Sequence, residues 1–287
     1  MEDIEELGSR DTLLSFFALG NLALGDTDPQ VRILALRTLW EYEDASLAPH
    51  FIELLKADKD ADVRAATADA LGRFVYAGEL EEIPARKLRE IEDLLIEVAN
   101  GEDRSRVRRS ALESLGYSSR SEVVPLIQAA FASPDKVWKA SALFAMGRSN
   151  DESWHPQVLS MLTSNLPLLR GEAARAAGEL EISEAVPHLL ELLDDPDDTT
   201  RHASIWSLSQ IGGEGVREAL EKLYEETGDE QDLEILESAL DNLDFNEGLP
   251  LMPLFDFSGQ EQRELKDGAQ AGGEEDFDLI ENEDLDD

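Results

Sequence analysis

The chain has 287 residues, and its apolar fraction of 42% is sufficient to build a hydrophobic core. Its 64 acidic residues outnumber its 25 basic residues, and the formal net charge of -39 repels phosphate backbones, so we expect no nucleic-acid partner. Cysteine is absent, which excludes disulfides, thiolate metal sites and cysteine nucleophiles, while the acidic start MEDIEELGSRD and the lack of a long apolar run predict a cytoplasmic protein without a membrane segment.

The first predicted helix lies in TLLSFFALGNLALG, from Thr12, and a repeated pattern follows it. The copies align on a "VR" pair and on the "ALG" that comes after it. They begin at Val31, Val63, Val107, Trp138, Leu169 and Thr200. The successive separations are 32, 44, 31, 31 and 31 residues. Such a regular step indicates a repeat architecture.

Each copy predicts one amphipathic helix that follows another. Apolar or small residues recur at offsets 0, 3, 4, 7 and 8 from the first residue, and these offsets form one face of an α-helix. A second amphipathic segment precedes each copy and often opens with proline, which the first turn of a helix accepts. These prolines are Pro49, Pro125, Pro156 and Pro187. Each repeat is therefore predicted to be two helices joined by a short acidic turn.

The stretch DKDADVRAATADALG, residues 58–72, has the aspartate spacing of a calcium-binding loop. An EF-hand loop needs glycine at position six and glutamate at position twelve, where this chain has Val63 and Asp69. An aspartate before the inner helix also accepts hydrogen bonds from free backbone N–H groups. Aspartates recur near that position as Asp28, Asp60 or Asp62, Asp135 and Asp197. The sequence therefore predicts helix caps and no calcium site.

Two stretches carry a known repeat pattern: FIELLKADKDADVRAATADALG, from Phe51, and VPHLLELLDDPDDTTRHASIWSLSQIG, from Val186. They resemble the HEAT-like repeats typified by the PBS lyase, or bilin-lyase, repeat family, over about residues 11–243. The resemblance implies an all-α fold, a right-handed α-solenoid of about seven helix pairs in residues 1–243, and says little about activity. It also implies that the family's arginine joins acidic residues of neighbouring repeats in a structural ladder. The ladder positions are Arg32, Arg64, Arg108, Lys139, Arg170 and Arg201.

Three segments depart from the regular unit. The 44-residue step contains GELEEIPARKLREIEDLL, an extended loop or an added helical turn around Gly78 to Leu88. The seventh unit, REALEKLYEETGDEQDLEILESALDNL, lacks the arginine and is typical of a terminal capping repeat. Residues 244–287 form an acidic, low-complexity tail that we expect to be disordered. Its islands LPLMPLFDF and DFDLIENEDL are either docking motifs, including for the chain's own groove, or parts of a solubilising tail.

No set of residues predicts catalysis. The histidines, His50, His155, His188 and His202, form no His-Glu pair of the kind found in deoxyhypusine hydroxylases. His188 and His202 share one repeat but lack a third ligand, and no nucleophile elbow or phosphate-binding loop occurs. We therefore predict no catalytic residue, no metal and no cofactor.

A partner surface is predicted on the concave face, where offsets 2 and 6 of the inner helices are free of the core. Aromatic and arginine residues are enriched where proteins bind one another. The predicted partner-binding residues are Arg37, Arg109, Phe144, Arg175, His202 and Trp206. The alternative is that the aromatic side chains fold onto the repeat core.

These patterns favour a non-catalytic scaffold or adaptor that binds an unidentified protein or peptide partner and is modulated by its tail. The alternative function is a bilin-lyase-like or other lyase accessory subunit, as the family resemblance implies. A HEAT-like DNA glycosylase would need a basic groove, and the overall charge of the chain predicts none.

Overall fold

The computed structural model describes residues 17–40, 42 and 44–248. The chain divides into two units, Met1–Leu243 and Asp244–Asp287, and the repeats lie in the first. The described residues contain fourteen α-helices and no strand. The helices are α1 (Phe17–Ala23), α2 (Pro29–Trp40), α3 (Ala48–Ala57), α4 (Ala61–Glu79), α5 (Ala85–Asn100), α6 (Ser105–Leu115), α7 (Val123–Phe131), α8 (Lys136–Arg148), α9 (His155–Met161), α10 (Pro167–Glu179), α11 (Val186–Glu191), α12 (Asp198–Ile211), α13 (Val216–Glu226) and α14 (Glu230–Gly248).

The helices follow one another as seven pairs of an outer and an inner helix. Each inner helix from α2 to α10 packs against the inner helix of the next pair, so that α2, α4, α6, α8, α10 and α12 stack in chain order. Four of the five predicted core residues of α4, Val63, Thr67, Ala70 and Leu71, are buried, and the fifth, Ala66, is half-buried. The predicted all-α stack of helix pairs is confirmed. None of the described helices combines the length and the apolar character that crossing a membrane requires.

The predicted aspartate caps are confirmed, and Asp60, not Asp62, caps α4. The Asp60 carboxylate accepts hydrogen bonds from the backbone N–H groups of Asp62 and Val63. Asp28, Asp135 and Asp197 accept equivalent bonds at the starts of α2, α8 and α12. Because the same cap recurs in several repeats, the DKDAD stretch is explained by helix initiation.

The long step of 44 residues is absorbed by longer helices. Helix α4 has 19 residues and α5 has 16, and the turn between them is limited to residues 80–84. Of the two predicted forms of this insertion, an extended loop and added helical turns, the structure therefore contains added helical turns.

The glycine of the "ALG" signature sits where neighbouring inner helices touch. A Cβ atom on Gly116 would lie 2.7 Å from the carbonyl oxygen of Ala145 in α8. On Gly178 it would lie 2.6 Å from the hydroxyl of Ser207 in α12. Only a residue without a side chain permits this approach, so the glycine fixes how closely the inner helices pack.

The last helix runs five residues past Leu243, to Gly248. Glycine disfavours a helix interior, and Pro250 follows two residues later, which is a common way for a helix to end. Residues 244–248, which were predicted to be disordered, are therefore helical, and the rest of the predicted disorder, residues 249–287, lies outside the described residues.

Candidate functional site

Three of the ladder arginines act as clamps between successive interhelical turns. Arg170 donates from Nε and Nη2 to both carboxylate oxygens of Asp195, at 2.7 and 2.8 Å, and from Nη1 to the carbonyl oxygen of Ser164, at 2.8 Å. Arg170 thus joins the turn before its own helix to the turn of the next repeat. The hydrogen bonds from Arg170 lower the pKa of the Asp195 carboxyl.

Two other clamps have the same geometry. Arg32 donates to both carboxylate oxygens of Asp58, each at 2.8 Å, and Arg64 donates to those of Asp103 at 2.7 and 2.6 Å. The hydrogen bond from Arg64 lowers the pKa of Asp103. Asp58 also accepts Arg64 Nη1 at its backbone carbonyl oxygen, so the first two clamps share one turn.

Arg108 and Lys139 differ from the predicted ladder, since neither lies within ion-pair distance of a carboxylate among the described residues. Ser133 and Ser164 occupy the places that Asp58 and Asp195 hold in other repeats, five residues before the aligned start of the copy. Each serine hydroxyl still accepts the turn's backbone N–H but carries no charge for an arginine. The two cations lie against aromatic rings instead, Arg108 over Trp138 at 5.2 Å and Lys139 over Phe131 at 5.4 Å.

Arg201, the last ladder residue, bonds mainly within its own repeat. It donates to the Asp195 carbonyl oxygen at 3.1 Å and pairs with Asp198 at 2.8 Å, while Asp232 of the terminal repeat is 3.8 Å away. Arg201 therefore does not form with the terminal repeat the doubly hydrogen-bonded Arg–Asp pair that the other clamps form.

A separate feature, which we call the central cleft, lies across the exposed face of four successive inner helices. Its volume is about 670 Å³. Helices α2, α4, α6 and α8 supply its lining: Leu36, Arg37, Trp40, Ala65, Ala66, Asp69, Ala70, Arg106, Arg109, Ser110, Glu113, Phe144 and Arg148. Three of the predicted partner-binding residues, Arg37, Arg109 and Phe144, are therefore brought together.

The cleft corrects the expectation that the chain has no basic groove. Four arginines line it against two carboxylates, in a chain whose net charge is -39. Composition gives only the sum of charges, whereas the fold gathers arginines from α2, α6 and α8 on one surface. The local charge of the cleft is thus opposite in sign to that of the whole protein.

One wall of the cleft continues into a row of stacked side chains, which we call the cation–π stack. The guanidinium carbons of Arg148 and Arg175 lie 4.0 and 3.9 Å from the centre of the Phe144 ring. Arg148 also lies 4.7 Å from the Tyr117 ring, whose centre is 5.1 Å from that of Tyr76. The stack thus runs from Tyr76 in α4 to Arg175 in α10, and each contact joins delocalised groups at favourable distances.

Carboxylates hold the arginines of this region in place. Arg175 pairs with Glu172 and Glu179 on its own helix. Glu113 accepts a hydrogen bond from the Ser141 hydroxyl and lies 3.9 Å from Arg109. These ion pairs and stacking contacts preorganise the cleft wall.

Desolvation by the surrounding protein raises the pKa of three carboxyl groups in this region. It raises the pKa of Asp69, which lines the cleft, against the attraction of Arg148 and Arg37. Burial likewise raises the pKa of Glu113 and Glu179, against Ser141 and Arg175 respectively. Desolvation disfavours the charged form of each carboxyl, so these acids bind protons more readily than exposed ones.

The other predicted partner-binding residues lie outside the lining of the central cleft. His202 Nε2 lies 2.6 Å from Asp232 Oδ1 in α14, so the imidazole is engaged with the terminal repeat. Trp206 is 39% exposed and passes close to Gly178, one inner helix beyond Arg175. His188 lies 3.7 Å from Glu191, so the two histidines of this repeat face different carboxylates. Among the described residues no group of three or more histidines and acids is placed to hold a metal ion.

Sequence reasoning missed the third turn of each inner helix. The groove face continues four residues beyond offset 6, to offset 10. The residues at offset 10 are Arg73 in α4, Tyr117 just after α6, Arg148 in α8 and Glu179 in α10. Trp40, at offset 9 of α2, belongs to the same face, is 47% exposed and lies under Arg73 at 5.0 Å. Extending the helical period by one more turn would have found all of them.

A second, larger cleft of about 1080 Å³ lies at the first repeat, between α1, α3 and the turn around Asp26. Its arginine, Arg32, is already bonded to Asp58, and its other charges are mixed. We assign no function to it because residues 1–16, which precede α1, are outside the described part of the chain.

Comparison with known proteins identifies the repeats. The model of HEAT repeats matches residues 18–85, 123–209 and 156–243. A stretch of 76 residues is 36% identical to the epoxyqueuosine reductase of Bacillus cereus and 34% identical to that of Bacillus anthracis. The match covers 26% of this chain and only 20% of the length of either reductase.

Comparison with solved structures gives the following similarities. The complex of CpcE and CpcF of phycocyanin lyase from a Nostoc species is similar with a TM-score of 0.52 and 19% identity, over 80% of this chain and 95% of that one. YibA of E. coli is similar with a TM-score of 0.48 and 19% identity, over 83% of this chain and 96% of that one. At this level of identity the similarity concerns the fold alone.

Proposed function

The chain belongs to the HEAT-repeat family, and from that premise we propose that it is a non-catalytic cytoplasmic scaffold that binds a protein or peptide partner in the central cleft. The central cleft carries the proposal, because the inner helices α2, α6 and α8 supply arginine and aromatic side chains to one open surface. Arginine and aromatic residues contribute most of the binding energy in many interfaces.

Preorganisation of the cleft supports the same proposal. Phe144 is held between Arg148 and Arg175, and Arg175 is held by Glu172 and Glu179. A partner that meets fixed side chains loses less conformational entropy on binding, so a given set of contacts yields higher affinity. The predicted regulation by the acidic tail stays a prediction from the sequence.

The lyase-subunit alternative rests on the family resemblance. The likeness to the CpcE and CpcF complex supports the fold that both share, and the match to the reductases spans too little of their length to carry an activity. Co-expression with a bilin and a candidate acceptor protein tests this alternative, since a coloured adduct would favour it over the scaffold.

An affinity capture from native lysate tests the scaffold function. The baits are the full chain, a chain ending at Gly248 and the full-length Trp40→Ala/Phe144→Ala variant, which changes two aromatic residues of the cleft lining. Tyr224→Ala is the matched control, because Tyr224 is 40% exposed on the outer helix α13. We expect one protein to be retained by the full chain and by the control and to be lost by the double variant. Equal retention by the double variant would contradict binding through the cleft.

A further inference from the structure

The central cleft has a charge pattern that selects among partners. Its four arginines, Arg37, Arg106, Arg109 and Arg148, outnumber its two carboxylates. In the rest of the sequence acids outnumber bases, 62 to 21. A short acidic segment is attracted at the cleft and repelled elsewhere, so the charge pattern directs it to one place.

Two of these arginines, Arg37 and Arg106, are available to bind a carboxylate of a ligand. Arg37 is exposed and makes no ion pair with any other described residue. Arg106 pairs with Asp62 at 2.8 Å, but both side chains are more than half exposed, so a ligand carboxylate can compete with Asp62 at little cost. By contrast, Arg148 is stacked between Phe144 and Tyr117 and belongs to the wall.

The space between the arginines accepts an apolar side chain. Trp40 and Phe144 are both in the lining, and the small residues Ala65, Ala66 and Ala70 lie between them on α4. Because these alanines leave room above α4, an extended segment can place one branched or aromatic side chain beside Trp40 and another beside Phe144 while its carboxylates reach Arg37 and Arg106.

We propose that the central cleft binds an acidic peptide segment of a partner protein, in which aspartate or glutamate residues flank an aromatic or branched side chain. This inference rests on the proposed scaffold function and adds the chemistry of the partner. Arg37 and Arg106 supply the charge recognition, and Trp40 and Phe144 supply the apolar contact.

Fluorescence anisotropy with the full chain tests the proposal. The probe is a fluorescein-labelled peptide, DFDLIENEDL, and its matched counterpart has every aspartate and glutamate replaced by asparagine and glutamine. We expect the acidic probe to bind at least roughly tenfold more tightly than the neutral one, because charge-assisted hydrogen bonds to arginine are stronger than neutral ones.

Charge-reversal variants locate the recognition. Arg37→Glu/Arg106→Glu is expected to weaken acidic-probe binding by roughly tenfold or more, since two attractive contacts become repulsive. Arg86→Glu/Arg89→Glu makes the same change of charge on exposed positions of the outer helix α5 and is expected to leave affinity within about twofold. Thermal melting of both variants checks that they fold.

Each remaining outcome is decisive. Equal binding of the acidic and neutral probes, equal losses in the two charge-reversal variants, or equally tight binding of a ten-nucleotide thymidine oligomer would overturn the proposal. If the neutral probe binds as well and Phe144→Ala abolishes that binding, the scaffold function stands and only the acidic preference is lost. The same probe sequence occurs at residues 276–285. A full-chain variant can be made in which those acids are neutralised. If this variant binds the probe more tightly than the native chain does, the result supports acidic recognition and identifies the chain's own tail as a competitor.

Discussion

The contribution of the Arg–Asp clamps to stability follows from their burial, and Asp195→Asn measures it. The Arg170 and Asp195 side chains are 13% and 5% exposed, and the aspartate receives two hydrogen bonds from the guanidinium. Asparagine can still accept the backbone N–H of Asp197, so the turn is preserved while the charge is removed. Removing one partner of a buried ion pair leaves the other uncompensated, and we expect a loss of about 3 kcal/mol in the free energy of unfolding.

The matched control is Asp62→Asn. Asp62 pairs with Arg106 at 2.8 Å, but the two side chains are 55% and 64% exposed. Water and salt screen such a pair, so the expected loss is between about 0 and 1 kcal/mol. The two substitutions are chemically identical and differ in burial.

Urea unfolding followed by circular dichroism compares the two variants. With a slope of about 3 kcal/mol per molar urea, a loss of about 3 kcal/mol lowers the midpoint by roughly 1 M.

The pH dependence of the stability adds a second check. Since Arg170 lowers the folded-state pKa of Asp195 below its ordinary 3.8, the stabilisation is present above that value and is lost as the pH falls through the folded-state pKa. Equal midpoints for Asp195→Asn and Asp62→Asn would refute the reasoning from burial.

Three further predictions concern the cleft and the overall charge. Phe144→Leu removes the ring between Arg148 and Arg175, and we expect a loss of about 1–2 kcal/mol in urea unfolding. Desolvation in the cleft places the folded-state pKa of Asp69 above its ordinary 3.8, so ionisation of Asp69 costs stability as the pH rises through the folded-state pKa. Asp69→Asn avoids that cost, and its stability relative to the native chain is expected to increase over the same pH range. Raising KCl from about 0.1 to about 1 M shortens the Debye length from about 10 to about 3 Å. Because the chain carries a net charge of -39, we expect the melting temperature to rise by roughly 5 °C.

Each of these three predictions has a control or an outcome that would contradict it. Tyr224→Leu on α13 should change unfolding by less than about 0.5 kcal/mol, and a loss equal to that of Phe144→Leu would contradict the role of the stack. A pH-independent difference in stability between Asp69→Asn and the native chain would show that desolvation does not govern the ionisation of that carboxyl. A melting temperature that falls with KCl would mean that the screened ion pairs outweigh the screened self-repulsion.

The helical period predicted the stack of helix pairs, since the buried residues of α4 recur at the offsets expected for one face. It also predicted the aspartate caps, because a cap depends on residues that are neighbours in sequence. The cleft depends on contacts between repeats, and local patterns contain only part of that information. Arg37, Arg109 and Phe144 were found because they occupy repeated offsets, but Arg106 lies one residue before the aligned start of its copy.

The contacts that individual ladder and patch residues make also depend on residues that are distant in the sequence. The serines at positions 133 and 164 are visible in the sequence, yet their effect on Arg108 and Lys139 requires knowing which turn each cation faces. His202 similarly meets Asp232, thirty residues later in the chain.

The two joints on either side of α8, which lack an Arg–Asp clamp, have a mechanical consequence. In a repeat array each unit is held chiefly by its neighbours, so the stiffness of the whole is set by its weakest joints. Stacking of Arg108 on Trp138 is less directional than a doubly bonded carboxylate, and we expect bending to concentrate there. The central cleft extends from α2 to α8 and so spans the first of these joints. A segment bound in the cleft would resist that bending. The ease with which the solenoid bends would then differ between the free and the occupied cleft.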